Sequence, residues 1–194
     1  LVNAFCHRDY SMLGRVRVEI NSEGMLISNP GGFIEGINAD NLLDAEPHGR
    51  NPVLADALKR IGLAERTGRG IDRIYEGSLL YGRLLPDYSR STSTSVRLFI
   101  PRGMPDRAFV RMISEEQQRL GHPLPIYALL VLNTLKQMHQ ATLREISEAL
   151  KRDESRIKIV VETLVESGLV EAIGNGRGRN YMLSPKAYGR ENTA

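Results

Sequence analysis

Hydrophobic and polar positions in the first half of the chain alternate in three places with the period of a β-strand. At residues 15–20, valine and isoleucine alternate with arginine and glutamate, which is typical of a half-buried strand. Turn-forming residues follow at 21–24, and residues 25–28 predict a second short strand, so the two segments predict a hairpin. Residues 93–100 predict a third strand, with Val96, Leu98 and Ile100 facing inward.

Segments with helical periodicity surround these strands. Residues 1–10 resemble the later part of an apolar helix. Asn51 and Pro52 favour the start of a second helix, and Gly62 favours its end. A third helix follows residues 67–70, with apolar side chains at 71, 74, 75 and 79. Residues 33–50 carry few periodic signals and predict a long loop.

The second half of the chain predicts helices first and a hairpin last. Residues 105–120 predict a linking helix, and residues 126–138 an apolar helix. Thr142 and Glu145 have the spacing of a capping box and begin another helix. A short turn at 152–153 precedes a helix that ends at Gly168, and strands at 169–173 and 181–183 enclose a tip rich in glycine and arginine. This order predicts a winged helix-turn-helix.

In such a fold the helix after the turn can enter the major groove of DNA by its N-terminal residues, while the hairpin tip contacts phosphates or the minor groove. The predicted DNA-binding residues are Ser155, Arg156 and Lys158 on the helix and Arg177 and Arg179 on the tip. Residues 142–186 contain eight Lys/Arg and seven Asp/Glu, a net charge of only +1. Glu162 and Glu166 would repel DNA if they faced it, so a protein–protein interaction module is an alternative.

Composition narrows the class of protein without deciding the function. The 194 residues are 25% charged and 41% hydrophobic, with a formal net charge of +3, which permits nucleic-acid binding without requiring it. The one cysteine, Cys6, excludes an intramolecular disulfide and fits a reducing cytoplasm. No signal peptide or membrane-spanning stretch is visible, and no membrane partner is expected. The chain does not begin with Met, which suggests a fragment of a longer protein.

Three short motifs carry a family resemblance: Asn3 within NAFCHRDY, the segment SNPGGF at residues 28–33, and TGRGI at residues 67–71. With the hairpin and residues 51–74, they resemble a family of RecG-related transcriptional regulators. The middle domain of that family is similar to a diverged ATPase of the GHKL type, the superfamily that includes gyrase and histidine kinases. The resemblance covers about residues 1–102 and implies an α/β sandwich with helices on one face of a mixed sheet. It also implies a following winged helix and an AlbA-like, Schlafen-type domain before residue 1.

The resemblance further implies a set of nucleotide-binding residues. Asn3 matches the asparagine that holds Mg²⁺ in active GHKL enzymes, whereas the glutamate that activates water would precede residue 1. Asn29 stands where an aspartate normally reads adenine. The remaining candidates are Gly31 and the glycines Gly68 and Gly70, whose backbone N–H groups could cradle phosphate. The altered motifs favour an ATPase-like fold with lost or changed nucleotide function, so ATP with Mg²⁺ is a possible cofactor and no cofactor is certain.

Three other signals are rejected. His7-Arg8-Asp9 resembles the HRD of protein kinases, but glycine stands five residues later where kinases need asparagine. The chain also lacks a GxxxxGK[ST] phosphate loop, so helicase activity is not supported, and its four histidines lack close ligand spacing.

The sequence therefore predicts an α+β protein, with a GHKL ATPase-like α/β sandwich followed by a winged helix-turn-helix. The predicted boundaries are 1–103 for the ATPase-like domain, 104–122 for the linking helix, 123–186 for the winged helix and 187–194 for a tail. The predicted function is a DNA-binding transcriptional regulator whose first domain serves sensing or assembly. DNA is the expected partner, and a homo-oligomer is possible. The alternatives are a nucleotide-dependent ATPase with an accessory winged helix and an interaction module without either activity.

Overall fold

The computed structural model describes residues 1–46, 49–64 and 69–189. The chain divides into two compact units, one formed by Leu1–Ser78 with Arg83–Met104 and the other by Leu79–Gly82 with Pro105–Ala194. Both are mixtures of helices and small antiparallel sheets. No helix in the described ranges is long and apolar enough to cross a membrane.

The first unit contains a three-stranded sheet of β1 (Arg17–Ile20), β2 (Gly24–Pro30) and β3 (Ser95–Pro101), in the order β1-β2-β3. Both strand pairs are antiparallel, and one isolated parallel bridge joins Gly31 to Ser95. The mixed sheet implied by the family resemblance is therefore antiparallel in its three described strands. The second strand is longer than predicted, because Asn29 and Pro30 pair with β3 instead of starting a loop.

Three helices belong to the first unit: α1 (Val2–Cys6), α2 (Pro52–Arg60) and α3 (Gly70–Leu80), of which the last two residues fall in the second unit. The core cluster joins Ala4 of α1, Ile27 and Leu98 of the sheet, and Tyr88. Partly buried residues pack around it: Val16, Met25, Phe33, Leu42, Ile71, Ile74, Tyr75, Val96 and Ile100. Residues 33–46 contain turns and bends without a helix or extended strand, as predicted for a long loop.

The second unit is mainly helical. Its helices are α4 (Arg107–Leu120), α5 (Ile126–Met138), α6 (Leu143–Leu150), α7 (Glu154–Glu166) and the short α8 (Pro185–Tyr188). Residues 128–135 of α5 are all buried, so this helix forms the centre of the unit. Helix α4, predicted as a linker, buries Phe109, Met112 and Ile113 almost completely. It therefore contributes to the core of the second unit.

A second small sheet completes this unit. Its strands are β4 (Ala141–Thr142), β5 (Val170–Ile173) and β6 (Asn180–Leu183), in the antiparallel order β4-β6-β5. The hairpin of β5 and β6 agrees with the sequence prediction. Strand β4 was not predicted, because two residues are too few to show a periodic pattern.

Candidate functional site

In the first unit, the NPGG segment at the end of β2 is held by side chains from two distant parts of the chain. The Arg50 guanidinium donates to Asp9 Oδ2 at 3.0 Å and to the Gly32 carbonyl at 2.9 Å. The backbone N–H of Asp9 donates to the Pro30 carbonyl at 2.8 Å. The segment is thus fixed by an ion pair and two hydrogen bonds to main-chain carbonyls.

Gly31 has little space around it for a side chain. Its φ of +96° lies in the region that favours glycine. A Cβ at this position would lie 2.8 Å from Arg50 Nη1 and 2.8 Å from Asp9 Cβ. The glycine expected to approach a nucleotide therefore lies close to the protein's own ion pair, which accounts for glycine at this position without a ligand.

The two titratable groups beside this segment, His7 and Asp9, both have lowered pKa values. The pKa of Asp9 is lowered, first by hydrogen bonds from the Ser11 hydroxyl and amide and then by Arg50. The pKa of His7 is lowered by burial and by the positive charge of Arg50. Neutral His7 and ionised Asp9 fit a structural cluster. The described residues contain no group of three or more side chains suited to hold a metal ion.

Asn51 connects the end of α1 to the start of α2. Its Nδ2 donates to the carbonyls of Cys6 and Arg8, at 2.9 and 2.7 Å. It occupies the predicted N-cap position of α2, but its side chain makes no capping hydrogen bond there. The Arg8 guanidinium in turn donates to the carbonyls of Asp9, Met12 and Gly14. The polar residues of HRDY therefore organise the chain after α1.

Among the predicted nucleotide-binding residues, Asn3 and Gly70 form one close pair. Asn3 lies against the first residue of α3, since a Cβ on Gly70 would be 3.1 Å from Asn3 Nδ2. Asn29 is 5% exposed, and its amide makes one long hydrogen bond, 3.4 Å, to the Pro30 carbonyl. Gly31 lies beside Asp9 and Arg50, as described above. Gly68 lies outside the described residues.

In the second unit, local hydrogen bonds fix the direction in which α7 starts. The predicted capping box on α6 is present: Thr142 N donates to Glu145 Oε2 at 2.7 Å, and Glu145 N donates to Thr142 Oγ1 at 3.3 Å. Lys151 ends α6 in a left-handed conformation, with φ of +52°. Asp153 caps α7 by accepting from the Ser155 amide at 2.8 Å.

The two long faces of α7 differ. Ile157, Val161 and Leu164 are buried, whereas Ser155, Lys158, Ile159, Glu162 and Thr163 are exposed. Lys158 forms an ion pair with Glu162 at 3.7 Å, and the Ser155 hydroxyl donates to Asp153. Arg156 is also exposed, but its guanidinium carbon lies 4.4 Å from the centre of the Tyr127 ring on α5. We call the exposed residues 155, 158, 159, 162 and 163 the outer face of α7.

The tip of the hairpin between β5 and β6 contains two of the predicted contact residues, Arg177 and Arg179. It folds as a tight helical turn at Gly176–Gly178, which includes Arg177. Arg179 is exposed, and among the described residues its guanidinium makes one long hydrogen bond, 3.5 Å, to the Gly174 carbonyl. The Arg179 guanidinium is thus loosely held and accessible to a partner.

The sequence did not identify three residues that stand out in the structure. Arg50 and Asn51 were assigned to a loop and a cap, although their longest-range hydrogen bonds span more than forty residues. Such contacts leave no periodic signal. Ile159 is 67% exposed at the centre of the outer face of α7. A helical-wheel projection of α7 could have shown that Ile159 is an apolar residue on the polar side, because Ile159 lies opposite Ile157 and Val161.

Comparison with known proteins identifies the first unit more closely. Residues 14–100 match a family model described as "Putative ATP-dependent DNA helicase recG C-terminal". This part of the chain is therefore similar to a RecG-related, ATPase-like domain. The match begins after Asn3 and includes Asn29, Gly31 and Gly70.

The fold also occurs in a solved structure, that of the DIP2311 protein from Corynebacterium diphtheriae. The similarity covers 96% of this chain with a TM-score of 0.74 and 23% sequence identity. This chain spans 39% of the length of that one. No protein with curated annotation matches the sequence.

Proposed function

We propose that the second unit is a winged helix-turn-helix that binds duplex DNA, and that the protein is a transcriptional regulator. In this proposal α7 enters the major groove, and the hairpin tip contacts the phosphate backbone or the minor groove. The ATPase-like unit serves sensing or assembly. The single buried thiol, Cys6, is compatible with work in a reducing cytoplasm.

The arrangement of elements supports this proposal. The chain runs from α5 through β4, α6 and α7 into the β5–β6 hairpin, and β4 pairs with the first two residues of β6, next to the hairpin tip. The core side of α7 is closed by Ile157, Val161 and Leu164. Because α7 is buried on one side only, its outer face is available to a groove. This open face of α7, together with the exposed Arg179 at the hairpin tip, is the observation on which the proposal rests.

The chemistry of the outer face sets limits on the contacts. Lys158 and Ser155 can donate hydrogen bonds, and Ile159 can contact the methyl group of thymine. Glu162 lies on the same face, so it would repel a phosphate but can accept from cytosine. In this proposal Arg156 contributes less to base contacts than predicted, because stacking on Tyr127 fixes its guanidinium at the edge of the outer face. Specificity would therefore come from few side chains, with phosphate contacts from Arg177 and Arg179.

Selection of duplexes from a random-sequence DNA library by the full chain tests this function. We expect an enriched sequence whose affinity falls steeply as salt rises, and we expect Lys158→Ala with Arg179→Ala to weaken binding. Arg60→Ala is the matched control, since it removes a positive charge from an exposed site on α2 in the first unit. Absence of enrichment at low salt would exclude DNA binding and favour the interaction module.

Nucleotide binding by the first unit is the second candidate, and the contact between Asn3 and Gly70 favours it. An asparagine against the start of α3, an eleven-residue helix, combines an amide with the N-terminal backbone N–H groups of a helix, a pairing suited to phosphate and Mg²⁺. Against it, Asn29 replaces a carboxylate, and Gly31 lies beside Asp9 and Arg50.

Calorimetric titration of the full-length protein with Mg·ATP, in parallel with Asn3→Ala, decides this point. Heat that disappears in the variant would establish a nucleotide site. If the titration gives no heat and Mg·ATP does not raise the melting temperature, the first unit is an ATPase-like fold without nucleotide function.

A further inference from the structure

The outer edge of the first sheet is formed by a short strand that is exposed on both faces. All four residues of β1 are exposed, and within the described ranges β1 pairs with β2 alone. Two of these residues are apolar: Val18 is 41% exposed and Ile20 is 76% exposed. An edge of this kind is a template for a further strand unless charges or bulges block it.

The hydrogen bonds of the hairpin show which backbone groups face the free edge. Asn21 N donates to Gly24 O at 3.0 Å, so these two residues form a hydrogen-bonded pair. Hydrogen-bonded and non-hydrogen-bonded pairs alternate along an antiparallel ladder. The N–H and C=O groups of Glu19 therefore point towards β2, whereas those of Val18 and Ile20 point outward.

The side chains of β1 divide by chemistry between the two faces of the sheet. Val18 is opposite Ile27 and Ile20 is opposite Met25, so both extend the apolar face that packs on the core. Arg17 and Glu19 lie on the other face, where their side chains form an exposed ion pair at 3.3 Å. The edge thus combines open backbone groups, an apolar face and one charge of each sign.

We propose that β1 pairs with β1 of a second copy of this chain, antiparallel about a two-fold axis at Val18. In this register Val18 exchanges both backbone hydrogen bonds with the second copy's Val18. Arg17 lies opposite the second copy's Glu19, and Glu19 opposite its Arg17, in non-hydrogen-bonded pairs where side chains approach most closely. Ile20 lies opposite Val16, which continues the apolar face across the axis.

Charge selects this register over its neighbours. An axis at Arg17 would place two arginines opposite each other, and an axis at Glu19 would place two glutamates opposite each other. An axis at Ile20 would place Arg17 opposite Glu23, which lies in the turn between β1 and β2 and not on a strand. The self-complementary order of Arg17, Val18 and Glu19 therefore favours a closed dimer of this chain over a strand from a partner of unrelated sequence. Such a contact is isologous, as expected for a two-fold homodimer.

Charge reversal at β1, followed by sedimentation equilibrium, tests the proposal. The unaltered chain should form a dimer. Glu19→Arg places two arginines opposite each other on both sides of the axis. It should therefore raise the dissociation constant of the dimer by about tenfold or more. The exchange of both charges, Arg17→Glu with Glu19→Arg, should restore the dimer. Glu35→Arg is the matched control, because Glu35 is exposed in the same unit and changes the net charge equally.

Hydrogen exchange identifies the interface independently of affinity. In the dimer, the amides of Val18 and Ile20 should be protected, and Glu19→Arg should remove this protection while the circular dichroism spectrum stays the same. A chain that is monomeric at every concentration would overturn the proposal. So would a dimer that Glu19→Arg leaves intact, or one that the exchanged pair fails to restore.

Discussion

The Tyr188 hydroxyl donates a hydrogen bond of 2.7 Å to Asp106 Oδ2, across 82 residues of sequence. Asp106 also caps α4, because its Oδ1 accepts from the Phe109 amide at 2.9 Å. Lys136 of α5 lies 3.7 Å from the same carboxylate. One side chain thus connects α4, α5 and α8. The pKa of Asp106 is raised by burial, but these hydrogen bonds outweigh that effect and lower it.

Tyr188→Phe should lower the free energy of unfolding of the second unit by about 1–2 kcal/mol, because it removes a hydrogen bond to a charged group. Burial, and then the bond to Asp106, raise the pKa of Tyr188 from 10.0 to about 12. The neutral phenol is the donor, so its contribution is complete below pH 10 and is lost as pH rises to about 12. Denaturant titrations across this interval, followed by circular dichroism, should show a smaller pH dependence in the variant.

Tyr81→Phe is the control for this change. Tyr81 is 68% exposed in the same unit, and its substitution should alter neither the stability nor its pH dependence. Equal effects of the two substitutions would show that the hydroxyl of Tyr188 contributes nothing through Asp106.

Gly31→Ala should destabilise the first unit by about 2–4 kcal/mol. The substitution strains a backbone with φ of +96° and places a methyl group within 2.8 Å of Arg50 and Asp9. Gly36→Ala is a matched control, because its φ is +82° and no atom lies within 4 Å of the added Cβ. The control should cost only about 1 kcal/mol from backbone strain. Chemical denaturation of both variants measures the difference, and equal losses would refute the steric role of Arg50 and Asp9.

Asn51→Asp should loosen the connection between α1 and α2. Aspartate is an equally good residue at a helix N-cap, but its carboxylate cannot donate to the carbonyls of Cys6 and Arg8. We expect a loss of about 1–3 kcal/mol and faster hydrogen exchange at the end of α1. Unchanged stability would mean that capping, and not the bonds to these carbonyls, is the role of Asn51.

The sequence predicted those parts of the fold that depend on local pattern. The β1–β2 hairpin, the capping box at Thr142 and Glu145, and the sequence of helices in the second unit all follow from periodicity, turns and caps. Strand β4 has two residues and exists because β6 lies beside it, so no local pattern could indicate it. The extension of β2 through Pro30 likewise depends on pairing with Ser95.

The candidate sites were less predictable, because they depend on contacts between distant residues. Through the family resemblance, the sequence implied that Asn3 and Gly70 belong to one nucleotide site. Asn3 lies against Gly70, and nucleotide binding there stays a prediction. The sequence could not have indicated the contacts that surround Gly31. It could not show that Arg50 reaches Asp9, since the two residues are 41 positions apart. Nor could it show that Arg156 stacks on Tyr127, which lies on a different helix. The predicted contacts of Arg177, Arg179 and Lys158 with DNA remain predictions.

Glu162→Gln should strengthen DNA binding if the outer face of α7 enters a groove. The carboxylate lies on the same exposed face as Lys158 and forms an ion pair with it at 3.7 Å. The neutral amide would remove repulsion from the phosphates and free the Lys158 ammonium, so affinity for a selected duplex should rise about threefold to tenfold. Fluorescence anisotropy at two salt concentrations measures this change.

Glu35→Gln is the control for Glu162→Gln, because it alters the net charge equally in the first unit and should leave the affinity unchanged. A weaker complex with Glu162→Gln would mean that this carboxylate accepts a hydrogen bond from a base, whereas no change would place the DNA away from α7.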